Sequence, residues 1–93
     1  MKILAKMPIN FDKVKPEELD KEILRIGLIA ELDAVNLYEQ LAATTNDEKI
    51  KKVLSEIARE EKTHVGEFLT VLLEKDSEQV KELEKGKEEV NEL

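Results

Sequence analysis

Apolar residues recur every three or four positions through two long stretches of this chain, and no β-branched run alternates with period two. Up to about Ala43 one stripe reads Leu24, Leu28, Val35, Tyr38 and Ala42; from about Asp47 to Lys75 another reads Ile50, Val53, Leu54, Ile57, Val65, Phe68, Leu69 and Leu72. A spacing of three or four returns side chains to one face of an α-helix. The expected fold class is therefore all-α, with two long antiparallel helices forming a hairpin over about 17–75. "KPEELDKE" opens the first, with Pro16 in the first turn and Glu17, Glu18 and Asp20 at the positive end of the dipole. "TTND" breaks the pattern, and Asn46 is expected to cap the second helix. Asp76 caps a third, with Gln79 as its capping-box partner. This short C-terminal helix is expected over about 77–85, ended by Gly86, before the polar "KGKEEVNEL".

Ninety-three residues make one small domain, 1–93, of a size that often gains stability from a staple or a partner copy. There is no cysteine, so disulfides, thiolate metal sites and a cysteine nucleophile are excluded. The net charge of −7 argues against nucleic acid, which needs a basic face, and suits a cation. The apolar run in "MKILAKMPIN" is too short for a secretory core, and no run reaches the length that spans a bilayer. The cytoplasm is the expected location and no membrane partner is expected.

Both apolar stripes are interrupted by polar residues. Glu61 stands four residues after Ile57, and His64, the chain's single histidine, four before Phe68. Glu31 stands three after Leu28 and four before Val35. Counted from Asn46, Glu31 and Glu61 each lie 15 residues away. In an antiparallel hairpin both are then at one level, roughly 22 Å from the turn at 1.5 Å per residue.

A buried carboxylate without a partner is costly, and two like charges at one level are worse. No lysine or arginine lies in either stripe at that height; Arg59 and Lys62 point elsewhere on the helical wheel. A lone histidine at the edge of a core is more often structural than ligating, and Glu-x-x-His is common by chance in an acidic chain. Three polar interruptions at one height, without an opposite charge, favour a metal ion. The mixed carboxylate and imidazole set suits iron, manganese or zinc. Four-helix di-iron proteins use one Glu from each of two helices and a Glu-x-x-His from each of the other two. This chain carries half of that set, so two copies about a two-fold axis would complete it. A second apolar stripe on the first helix, Ile23, Ile26, Ala30, Leu37 and Leu41, needs cover from a further copy or from the third helix.

"AELDAVNLYEQLA" and "IAREEKTHVGEFL" together resemble the encapsulated ferritins, short ferritin-like chains housed in encapsulin shells. The resemblance covers about residues 17–75. It implies a ferritin-like four-helix bundle completed by dimerisation, rings of dimers, and an iron-binding ferroxidase centre shared between two chains. It further implies Glu31, Glu61 and His64 as catalytic iron ligands, with Tyr38 beside them. Family members can carry acids one residue before and two after the first ligand to admit iron; those positions here are Ala30 and Asp33, so only Asp33 can contribute. "GKEEVNEL" does not match the family's shell-docking peptide, so the chain is either a domain of a shell fusion or uses another address.

The expected function is a ferroxidase that oxidises Fe(II) to Fe(III) with dioxygen or peroxide and supplies iron for storage in an encapsulin compartment. The alternatives are a non-catalytic helical oligomerisation module and a rubrerythrin-like peroxidase. The missing cysteines count against the second, since they exclude the usual rubredoxin iron site.

Overall fold

The computed structural model describes residues 10–93. Residues 1–9, which include Pro8 and most of the apolar run weighed above as a leader, lie outside the described part. Two 3₁₀ turns, Phe11–Lys13 and Pro16–Glu18, lead into α1 (Leu19–Thr44), α2 (Glu48–Lys75) and α3 (Ser77–Asn91). The described residues contain no strand, so the all-α expectation holds.

α1 and α2 are antiparallel neighbours. Contacts across them pair early residues of one with late residues of the other: Arg25 with Asp76 just past the end of α2, Glu31 with His64, and Glu39 with Lys62. The layer between them is built of small side chains. Ala34, Val35, Ala42, Ala58 and Leu72 are the buried apolar residues among those described. Three alanines in that layer let the helix axes approach closely, while larger apolar side chains remain outside. Ile23, Leu32, Leu41, Ile50 and Val53 are each between 44% and 54% exposed.

The second helix of the hairpin starts on a side-chain cap. The Thr45 hydroxyl accepts the Asp47 amide at 3.1 Å, and one Asp47 carboxylate oxygen accepts the amides of Lys49 and Ile50, each at 2.9 Å. Asp47, not Asn46, is thus the cap of α2. A side chain one residue earlier cannot reach the second and third amides of the helix, and the Asp47 charge also meets the positive dipole end.

Between α2 and α3 the chain turns on a single residue. Asp76, at φ −138° and ψ 87°, accepts the Gln79 amide at 3.0 Å with one oxygen and the Arg25 guanidinium at 3.1 Å with the other. Beyond it, α3 runs through Gly86 to Asn91 rather than stopping at 85. A glycine ends a helix by taking positive φ, and no described glycine does so. The Lys and Glu residues that follow, 87–89, are good helix formers and carry the helix on.

The shape is flat. The principal extents are 47 × 40 × 20 Å and the radius of gyration is 16.3 Å. A compact chain of this length would have a radius of about 12 Å.

Candidate metal centre

Glu31 comes from the middle of α1; Glu61 and His64 come from successive turns of α2. Ala34, one turn after Glu31, and Ala58, one turn before Glu61, are 3% and 2% exposed. Both alanines lie on the turn side of this level, and their small side chains let the two polar interruptions come together.

One donor atom from each of Glu31, Glu61 and His64 lies within 4.8 Å of the others. His64 Nδ1 is 3.4 Å from Glu31 Oε2 and 3.5 Å from Glu61 Oε2. The carboxylates are largely sheltered, with 16% and 14% of their side chains exposed, while the imidazole is 44% exposed. The coincidence of level inferred by counting from the turn is therefore a contact.

Among the described residues, no lysine or arginine pairs with this cluster. Lys62 reaches away to Glu39 at 2.9 Å, and Arg59 pairs with Glu56 at 2.9 Å. Among the described residues, the buried Glu31 Oε2 accepts no well-aligned hydrogen bond, His64 Nδ1 standing at 3.4 Å. Burial pushes the Glu31 carboxyl above its ordinary range, and the neighbouring Glu61 carboxylate pushes it further, against the opposing influence of His64. For His64, burial acts to lower the pKa, but Glu31, then Glu61 and Glu67, outweigh it and raise it.

A divalent ion fits the donor set. Metal–oxygen and metal–nitrogen bonds are about 2.0–2.2 Å, so neighbouring donors on one ion stand roughly 3–3.5 Å apart. The 3.4 and 3.5 Å separations fall there. An orphaned buried oxygen, a second carboxylate and an imidazole are the donors that borderline divalent metals take.

A cleft of about 420 Å³ opens beside the cluster, lined by Leu24, Glu31, His64, Glu67, Phe68 and Val71. Glu67 was not among the candidates from sequence, though it stands one turn after His64 on the same face and a helical wheel would have found it. Asp33 lies outside the cluster of three. At 100° per residue it sits some 200° around α1 from Glu31. Tyr38, half-buried, lies two turns along α1 on the Glu31 side. Both Asp33 and Tyr38 have interactions of their own.

The family model for EncFtn-like proteins matches residues 7–87. The chain belongs to the EncFtn-like family, the encapsulated ferritins. It is 58% identical over 85 residues to the ferritin-like-encapsulin shell fusion protein of Pyrococcus furiosus, covering 91% of this chain and 25% of that protein. It is 36% identical over 67 residues to the encapsulin nanocompartment cargo protein EncC of Myxococcus xanthus, covering 72% of this chain and 51% of that protein. This encapsulated ferritin-like chain thus spans about a quarter and a half of the curated relatives it matches. It superposes on the crystal structure of the encapsulated ferritin domain from Pyrococcus furiosus with a TM-score of 0.83 at 55% identity. That match covers 97% of this chain and 94% of the other. Among the described residues, no helix is long and apolar enough to cross a membrane.

Proposed function

We propose that this encapsulated ferritin-like chain is one half of a ferroxidase. Glu31, Glu61 and His64 bind Fe(II) as substrate, and a second copy about a two-fold axis supplies the same three residues to a shared pair of irons. Four carboxylates would then face two divalent ions, which balances the charge. Each Fe(II) gives up one electron, and dioxygen, taking two electrons and two protons, leaves as peroxide; peroxide itself can be the oxidant in turn. Glu61 is assigned the bridge between the irons, and Glu31 and His64 the outer positions. Tyr38 is assigned a place beside the ligands, where its hydroxyl can orient a carboxylate. Asp33, half-buried and some 200° around α1 from Glu31, is assigned a part in iron uptake.

The observation that carries this reading is the sheltered cluster of two carboxylates and an imidazole, with a buried Glu31 oxygen unsatisfied. A hairpin encloses no volume, so the Fe(III) product must be stored elsewhere. The names of its relatives, a shell fusion and a nanocompartment cargo protein, support an encapsulin shell as the partner and its interior as the location. Assembly of dimers into a ring would cover the apolar residues that α1 leaves exposed, among them Ile23, Leu32 and Leu41.

Aerobic addition of Fe(II) is expected to give a near-ultraviolet Fe(III) absorbance that Glu61→Ala largely abolishes. Equal rates in the two proteins would defeat the assignment.

A further inference from the structure

Of the three glycines in the chain, all helical here, one stands apart. A Cβ placed on Gly66 or Gly86 would meet nothing within 4 Å. A Cβ placed on Gly27 would lie 2.5, 2.7 and 2.8 Å from three carbons of the Phe68 ring. Carbon atoms do not approach that closely, so the ring occupies the volume that any other residue at 27 would fill. A glycine inside a helix costs roughly 0.5–1 kcal/mol relative to alanine. What the glycine provides in return is a seat for an aromatic ring of α2 directly against the backbone of α1.

The position of that seat gives it meaning. Glu31 is four residues after Gly27 on α1, and His64 is four residues before Phe68 on α2. The helices are antiparallel, so the ring and its seat lie one turn, about 5–6 Å, from the Glu31–His64 contact, on the same side of both helices. Phe68 also lines the cleft that Glu31, His64 and Glu67 share. On the other side of the site the helices are held by alanines, Ala34 and Ala58. The cluster is thus set between a small-residue contact and an aromatic one.

We propose that Gly27 and Phe68 are positioning residues for the metal centre: the ring seated on the glycine fixes the separation of α1 and α2 at the level of Glu31, Glu61 and His64. Adding a methyl group at 27 leaves the ring two ways to yield. It can push the helices apart, which draws Glu31 away from the α2 donors, or it can swing into the cleft against Glu31 and His64. Either response disturbs the donors, because side chains that bind a metal tightly must be held within a few tenths of an ångström. The inference rests on the proposal that these three residues bind metal.

The test uses Co(II) as a spectroscopic probe in place of Fe(II), together with metal-free crystal structures. Gly27→Ala is expected to weaken Co(II) binding about tenfold or more, within the range that supporting residues of metal sites show. Its metal-free structure should show either the 3.4 Å Glu31–His64 spacing lost or the ring displaced into the cleft. Gly27→Ala combined with Phe68→Leu, in which the added methyl group and the smaller side chain together refill the gap and restore the spacing, should recover most of the affinity. Gly86→Ala, in open space, should bind as the parent does. A Gly27→Ala protein with parental Co(II) affinity and spectrum would overturn the positioning role, as would failure of the double variant to recover. If the parent protein binds no Co(II), the metal reading itself fails. The metal-free structure then decides the spacer alone, and an unmoved ring with retained spacing overturns it.

Discussion

At the scale of single residues, the two most informative side chains are carboxylates in opposite circumstances. Among the described residues, Glu31 has a buried oxygen that accepts no well-aligned hydrogen bond, and its carboxyl is pushed up. Asp76 is almost fully satisfied. The Gln79 amide lowers its pKa most; burial opposes that, and Arg25 with Lys21 add to the lowering. A carboxyl whose folded pKa is depressed binds its proton more weakly in the native state than in the unfolded chain. Its stabilising contribution is therefore complete above the ordinary aspartate range and is lost as pH falls through that range toward the depressed value. Asp76→Asn keeps an acceptor for the cap but loses the ion pair with Arg25. Its melting temperature is expected to fall below the parent's at pH 7, and the gap is expected to close as pH falls below the ordinary aspartate range of about 4 toward the depressed value, where the parent's Asp76 takes up its proton. A difference that stays constant from pH 7 to pH 3 would show that the ion pair contributes nothing. The cap of α3 was legible in the sequence because it is local. The arginine 51 residues away was not, since chain proximity carries no information about it.

At the scale of elements, α1 and α2 were legible nearly to the residue because apolar periodicity over 26 and 28 residues leaves little choice. The ends were less so. A one-residue shift of the α2 cap from Asn46 to Asp47 follows from which carboxylate or amide can reach the second and third amides. The end of α3 depended on Gly86, and a glycine permits a stop without requiring one. Because Gly86 is exposed, in helical φ and touches nothing, Gly86→Ala is expected to stabilise α3 by about 0.5–1 kcal/mol. Slower amide hydrogen exchange along α3, with α1 and α2 unchanged, would register it. Leu72, 2% exposed, is the largest of the buried apolar residues on α2. Leu72→Ala is expected to cost about 2–5 kcal/mol of hairpin stability, measured by denaturant unfolding.

At the scale of the whole molecule, the described residues bury five apolar side chains, Ala34, Val35, Ala42, Ala58 and Leu72, a thin layer for a chain of 93 residues. Its net charge of −7 disfavours packing one copy on another. If two copies share bound metal, the cations offset carboxylates on both, and binding adds its free energy to association. EDTA-treated protein is therefore expected to show a smaller mass by light scattering than protein given Fe(II) or Zn(II), and a melting temperature lower by several degrees. The same mass and melting temperature in both conditions would favour the non-catalytic oligomerisation module over a metal centre.

The sequence alone determined the helices, their antiparallel order and the common height of Glu31, Glu61 and His64, because rise per residue and turn length are local quantities that can be counted. Tertiary structure decided how far apart the two helices stand at that height. That distance is set by which side chains meet across the gap, Phe68 on Gly27 and Arg25 on Asp76, and such meetings depend on the rotation and tilt of one helix against the other. Periodicity within either helix leaves those two angles open.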